Sequence, residues 1–443
     1  MKRTHQAMAA IATLASAAMV LAACSSSGSG SKSGATQGAL TASAPGITAT
    51  TITIGSHQPL TGPAAPGYSE IAPASNAYFQ YVNAHGGIFG RKIVYKYLDD
   101  GYNPTNTSTV VHQLVLNDHV YAIFNGLGTP THQAVVQYLN SQQVPDVFVA
   151  SGCSCWNNTS SYPDTFGWQL NYIREGKILG SYVEQHFKGK KIGYFYQGDE
   201  FGLDGVKGLD MVIPKSQVVS RQTYVPTNPK IGPAVAALKA AGAQVIVSFS
   251  IPAFTALLKL TSLGLNYNPM LVVSSVGTDP ITLDGLLNTY AKKTGSFGKS
   301  LSNGIITDGY LPSVGDMSNP WIALFEKIHN KYDAKAPFDG NVLYGMSAAY
   351  TFVEAMFKAG RNPTRADLIN AINAGLPQGV AVAPYAYSAT DHDGITGAYI
   401  GMIKNGVLVP LGHVLTTNTS PGGAVTAITA PQPAPPASGI PSS

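Results

Sequence analysis

The sequence predicts an α/β protein made of two doubly wound, Rossmann-like lobes, and three observations predict it. Short β-rich runs alternate with helical patterns, the alternation restarts partway along, and the patterned stretch exceeds the roughly 250–300 residues that one core sustains. In the first series, strands are expected at residues 51–55, 92–98, 121–124 and 146–149. Helices are expected at 69–84, near 105–117 and from 130 onward. The second series places strands at 191–196, 218–224, 245–249 and 270–273, separated by helices near 202–212, 233–241 and 252–263. Strands alternating with helices imply parallel sheets with helices on both faces.

The two ends of the chain read differently. Met1-Lys2-Arg3 is followed by an apolar, Ala-rich run from Ala7 to Ala23 that ends in Leu21-Ala22-Ala23-Cys24. The run is the length of a signal-peptide core and short for a membrane span. It resembles a bacterial lipoprotein signal, which implies removal of residues 1–23 and lipid on Cys24. The expected location is then the outer face of the cell membrane. Residues 24–49 are Ser/Gly/Ala/Thr-rich and read as a flexible tether, and residues 417–443 read as a disordered Pro/Ala/Thr tail. Charged residues make up only 11% of the chain and the net charge is +4, with no basic cluster, which excludes a nucleic-acid partner.

Open α/β sheets bind ligands outside the carboxyl ends of their strands, and that rule selects candidate loops. Leu60-Thr61-Gly62-Pro63 follows the first strand. Asn125-Gly126-Leu127-Gly128-Thr129-Pro130 follows the third and carries the marks of a helix N-terminus with free N–H groups. Thr129 either caps that helix or holds a ligand oxygen. Ala150-Ser151-Gly152-Cys153 follows the fourth strand, and Gln197 to Gly202, Ser250-Ile251-Pro252 and Ser274 to Gly277 end strands of the second series. Tyr68, Tyr102, Trp156, Trp168, Phe201 and Phe254 fall near the expected mouth, where each either packs or touches a ligand.

Chemistry beyond binding finds little support. Cys153 and Cys155 remain once Cys24 is set aside, and in an oxidising compartment a structural disulfide is expected, with free thiols, catalysis or metal binding as the alternatives. No metal, cofactor or catalytic residue is expected: Gly-x-Ser-x-Gly, a phosphate-binding Gly-Lys-Ser loop and His-Glu-x-x-His are all missing from the sequence. Asp99 and Asp100 are adjacent on a strand and so point to opposite faces, which argues against a shared proton. Asp391-His392-Asp393-Gly394 reads as an Asx-rich turn.

Several segments together carry a family resemblance. Ile52-Thr53-Ile54-Gly55, Pro59 to Pro63, Asn83 to Lys92 and Asp99-Asp100 open it, and Val144-Pro145, Phe201-Gly202 and Leu238 to Ala243 extend it. Over residues 52–411 the chain resembles periplasmic binding proteins of the leucine/isoleucine/valine-binding type. The resemblance implies the type I fold of that family, with lobe 1 at 50–170 and 312–384 and lobe 2 at 171–311 and 385–416. A three-segment hinge would pass near Gln169 to Asn171, Tyr310 to Pro312 and Pro384 to Tyr387. It implies a monomer that captures a small molecule, amino-acid-like, an amide or an aromatic acid, for the permease of an ABC importer. A sensor for a membrane signalling partner, and an extracellular thiol–disulfide or hydrolytic enzyme, are the alternatives. Ligand contacts are expected from Tyr68, Leu127, Gly128, Thr129, Ser151, Cys153, Phe201, Ser250 and Ser274, with the ligand's acidic end at the Thr129 loop. Relatives that bind amino acids usually carry a carboxylate near Ser274. This chain has serine there, so an ammonium group would need Asp199, Glu200 or Asp308 instead.

Overall fold

The computed structural model describes residues 38–442, so the expected signal, Cys24 and most of the expected tether lie outside the described residues. The first lobe is organised on five strands: β1 Thr51–Gln58, β2 Lys92–Asp99, β3 Ile123–Phe124, β4 Asp146–Val149 and β5 Thr165–Gly167. They lie parallel in the order β2-β1-β3-β4-β5. The second lobe contributes β6 Ile192–Gln197, β7 Val218–Tyr224, β8 Val245–Phe249, β9 Met270–Val273, β10 Ile306–Gly309, β11 Gly397–Lys404, β12 Val407–Thr416 and β13 Thr426–Ile428. Their order is β13-β12-β11-β10-β9-β8-β6-β7, parallel from β7 to β10 and antiparallel from β10 to β13.

Local chemistry explains where elements begin. Asn103 caps the helix Pro104–His112 by accepting from the Thr105 and Asn106 amides, and Pro104 occupies the first turn, where its missing N–H goes unneeded. The helix continues as one wider turn over Gln113–Asn117. Inside the first lobe, Phe79 packs edge-on against Tyr95 and Phe124, with ring centroids 5.4 Å apart in each pair. Phe352, from the long helix Gly340–Ala359, closes the group at 5.3 Å from Phe124. That helix and Pro320–Tyr332 lie with Ile71–Ala84 on the first lobe, although both follow the second sheet's first five strands in sequence.

Up to β12 the chain therefore passes between the lobes three times. It crosses after β5, after β10, and again just before β11. The third crossing lies at Ile395 and Thr396 rather than at Pro384 to Tyr387. Tyr387 remains bonded to β5 through the Gly167 carbonyl at 2.7 Å, and His392 through that of Thr165 at 2.8 Å, so residues 385–394 stay with the first lobe. Asp391 does make the expected Asx turn, accepting from the Asp393 amide at 3.0 Å.

The second correction concerns the end of the chain. Residues 417–442 are packed rather than disordered. Thr426–Ile428 pairs with β12, and the Tyr78 and Trp321 side chains hold the carbonyls of Gly439 and Pro433 at 2.9 and 2.6 Å. Composition suggested a free tail because it has few apolar side chains of its own, but here its backbone carbonyls take donors from the folded lobe.

Close helix packing supplies a test. Gly176 on the helix Tyr172–His186 and Gly208 on Glu200–Asp210 meet so closely that a Cβ on Gly208 would overlap the Ile173 carbonyl. Gly208→Ala should destabilise the protein by about 1–3 kcal/mol through overpacking, read as a lower urea midpoint. An unchanged midpoint would show that the helices can separate freely.

Candidate functional site

The carboxyl ends of both sheets face one cavity of about 160 Å³. Tyr68, Tyr102, the Leu127–Thr129 loop, Ala150 and Tyr172 line it from loops after β1 to β5. Phe201, Ile251, Ser275, Val276 and Asp308 to Leu311 line it from the second sheet, and Asn341 and Tyr344 from the start of the long helix. Aromatic and aliphatic side chains dominate the wall, and no Lys, Arg or His is part of it.

Of the residues expected to touch a ligand, Tyr68, Leu127, Gly128, Thr129 and Phe201 line the cavity. Thr129 does not cap its helix. Gly128 is the N-cap, with a positive φ of 104°, and the Thr129 hydroxyl pairs with Ser151 Oγ at 2.7 Å. The other four expected residues stand behind the wall. Ser151 backs Thr129, and Ser250 turns into its own lobe toward Ser248 and Thr255, each at 2.8 Å. Ser274 donates to Glu175 Oε1 at 2.8 Å. Cys153 is joined to Cys155 in a disulfide, and Ser154 between them reaches across to Asp204 through its amide and hydroxyl at 2.7 and 3.1 Å. Among the expected aromatics, Trp156, Trp168 and Phe254 are core residues; Phe254 stacks on Tyr224 at 4.0 Å.

Two groups escaped notice in the sequence. Tyr172 begins the helix after the first crossing and packs on Phe201 at 4.7 Å, presenting an aromatic wall between the lobes. Glu175, one turn further on, is buried beside Asp308. Its Oε1 accepts from Ser274 Oγ, Ser275 N and Ser275 Oγ at 2.8, 3.0 and 2.9 Å, while Asp308 Oδ1 shares the Ser275 amide at 3.0 Å. Burial and then the Glu175 charge push the Asp308 carboxyl well above its usual range, and burial raises Glu175 too. Two adjacent buried carboxyls cannot both ionise, so the pair holds one proton and one negative charge against the cavity. Asp308 was among the acids expected to stand in for the missing carboxylate near Ser274, while Glu175, on a helix, left no local signal.

Beneath the Leu127–Thr129 loop, four fully buried side chains form a chain: Asp100 to His57 at 2.8 Å, His57 to His132 at 2.9 Å, and His132 to Asp146 at 2.7 Å. Three hydrogen bonds need three protons, while two neutral imidazoles bring two, so the chain holds one more. Burial keeps the His57 imidazole below its ordinary range, against the opposing pull of its Asp100 hydrogen bond. Gly126 lies directly over the His57–His132 bond, leaving no room for a side chain. Asp99 points the other way, accepting from Thr61 N and Oγ1 at 3.0 and 2.6 Å.

Hydrogen bonds also close the seam around the cavity. Tyr68 donates to the Val276 carbonyl at 2.6 Å, Gln197 to the Tyr102 hydroxyl at 3.3 Å, and the Gly340 amide to Asp279 at 2.9 Å. The structure is thus a closed form. Asp279 caps the helix Pro280–Ala291 in the second lobe and Asp339 caps Gly340–Ala359 in the first. Burial, then the neighbouring Asp339 charge, raises Asp279 to about 7. Burial, then Glu70, raises Asp339 to about 7.

Two hinged α/β lobes closed over a cavity at their strand ends define a solute-binding protein. The profile of the periplasmic binding protein family matches residues 51–407, and the chain belongs to that family. It is 26% identical over 205 residues to the Leu/Ile/Val-binding protein homolog 3 of Brucella melitensis, a match spanning 44% of this chain and 53% of that protein. A Thermus thermophilus branched-chain amino acid ABC transporter protein, solved with bound valine, superposes with a TM-score of 0.72 at 19% identity, covering 83% of this chain and 97% of the other. A fatty acid ABC transporter substrate-binding protein from Thermomonospora curvata gives 0.73 at 22% identity, covering 85% and 95%. At these identities the two structures establish the shared fold.

The seam carboxyls make stability depend on pH. Both have folded-state values raised from 3.8 to about 7, so the stability they contribute is present at acid pH and lost as pH rises through about 7. Melting temperature should fall between pH 5 and pH 8, and fall less in Asp279→Asn. Equal slopes in the two proteins would remove Asp279 from the pH dependence.

Proposed function

We propose that this protein captures a small organic solute outside the cytoplasm and presents it to the permease of an ABC importer, without catalysing a reaction. The observation that carries this reading is the cavity closed between two hinged lobes. A solute touching both walls stabilises the closed form by its differential affinity, and the closed shape is what a permease can recognise. Lipid on Cys24 would hold the protein at the outer membrane face, and a monomer suffices, since one chain supplies both walls.

The wall chemistry narrows the solute. At about 160 Å³ the cavity is on the scale of the ~150 Å³ apolar cavities that take a single benzene ring. The aromatic and aliphatic lining suits a compact apolar body. The Glu175–Asp308 pair keeps a negative charge beside it with no basic residue on the wall, which favours an ammonium or amide donor over a bare carboxylic acid. The Tyr102 and Tyr172 hydroxyls, which accept from Gln197 and Gln169, keep their protons for the solute's acceptor oxygens. A small amino-acid-like solute or amide fits this better than a fatty or aromatic acid.

A thermal-shift screen of amino acids, amides, aromatic acids and fatty acids tests the reading, since a ligand selective for the native state raises the melting temperature. Nitrogen-bearing solutes should stabilise, and Asp308→Asn should weaken the best of them about ten- to a hundredfold, the worth of a hydrogen bond to a charged group. Stabilisation only by acids that lack nitrogen would overturn the proposed solute class.

A further inference from the structure

The family match ends at residue 407, and the packed segment beyond β12 has a path that the three-crossing hinge does not require. It starts on the second lobe. Arg174 and Lys177, on the helix Tyr172–His186, donate to the carbonyls of Thr417, Asn418 and Ser420, and Thr426–Ile428 adds β13 to the edge of the second sheet. It ends on the first lobe. Asn319 donates to Gln432 Oε1 at 2.8 Å, Trp321 Nε1 to the Pro433 carbonyl at 2.6 Å, and Tyr81 and Tyr78 to the carbonyls of Ser438 and Gly439 at 2.6 and 2.9 Å.

We infer that residues 417–440 form a strap, a fourth link between the lobes, that limits how far they swing apart when the cleft is empty. Only Thr429, Ala430 and Pro431 separate the last residue of β13 from Gln432. At about 3.6 Å per residue, those four steps keep the anchors within about 14 Å of each other while both hold. Pro431, Pro433, Pro435 and Pro436 restrict the segment to extended backbone, so it acts as a stiff link more than a slack tether. The first-lobe anchors are carbonyl acceptors on fixed side-chain donors. Docking therefore needs few apolar residues in the strap, which explains how so plain a composition packs at all.

The test is made on the ligand-free full chain and so does not depend on which solute the cleft takes. Spin labels at exposed Leu116 on the first lobe and Leu203 on the second report the interlobe distance. A protease site built into residues 429–431 allows the strap to be cut after folding, with both halves left in place. Cutting should shift the distribution to longer distances that the intact protein lacks. Tyr78→Phe/Tyr81→Phe, which keeps both rings but removes two anchors, should produce a smaller shift in the same direction. Distributions unchanged by the cut would overturn the inference, and so would a double variant that matches wild type while the cut protein has unfolded.

Discussion

Everything in this protein depends on three chain crossings lying side by side. The Ile395 amide donates to the Trp168 carbonyl at 2.9 Å, tying the third crossing to the first, and the Val382 amide donates to the Tyr310 carbonyl at 3.1 Å, tying the stretch before the third to the second. Gly394 passes so close to Trp168 that a side chain there would overlap its carbonyl. Neighbouring crossings bonded in this way act as a hinge and resist sliding, so the strand ends of the two sheets can face each other and little else. The cavity is a consequence of that pairing.

Burial at the seam then sets the electrostatics. Asp308, Glu175 and Asp339 are buried and Asp279 partly so, with no basic partner on the cavity wall. The protein meets the resulting penalty with amide and hydroxyl donors and with protons, as in the Ser274–Ser275 cradle around Glu175. A chain with only 11% charged residues concentrates several of its acids where the lobes meet. Solute recognition and the response to pH arise in the same layer of structure.

Much of the fold was legible, because parallel strands buried on both faces leave apolar runs that local pattern reveals. The expected strand at 245–249 matches β8, and that at 270–273 matches β9. Strands β5 and β10 to β13 were not foreseen: β5 is only three residues long, β11 to β13 pair antiparallel at one side of the sheet, and β12 exposes apolar residues, so no alternation marks it. The site was legible only as far as loops. Thr129 and Phe201 stand at strand ends where the rule for open sheets put them. Ser250 and Ser274 obey the same rule and yet turn inward, because a serine hydroxyl takes the nearest buried partner, and sequence position does not reveal which side that partner is on.

The amino-acid sequence by itself determined the periodicity, hence two α/β lobes. It also carried the family's motifs. Tertiary structure alone decided which carboxyls meet. Glu175 and Asp308 are far apart in the chain and become a proton-sharing pair only when a helix and a strand of one lobe pack together. It also decided the fate of the C-terminal segment, whose own composition has no means to fold. Its hydrogen-bond donors reside on Arg174 and Lys177 in one lobe and on Tyr78, Tyr81 and Trp321 in the other, and such long-range partners leave no local trace.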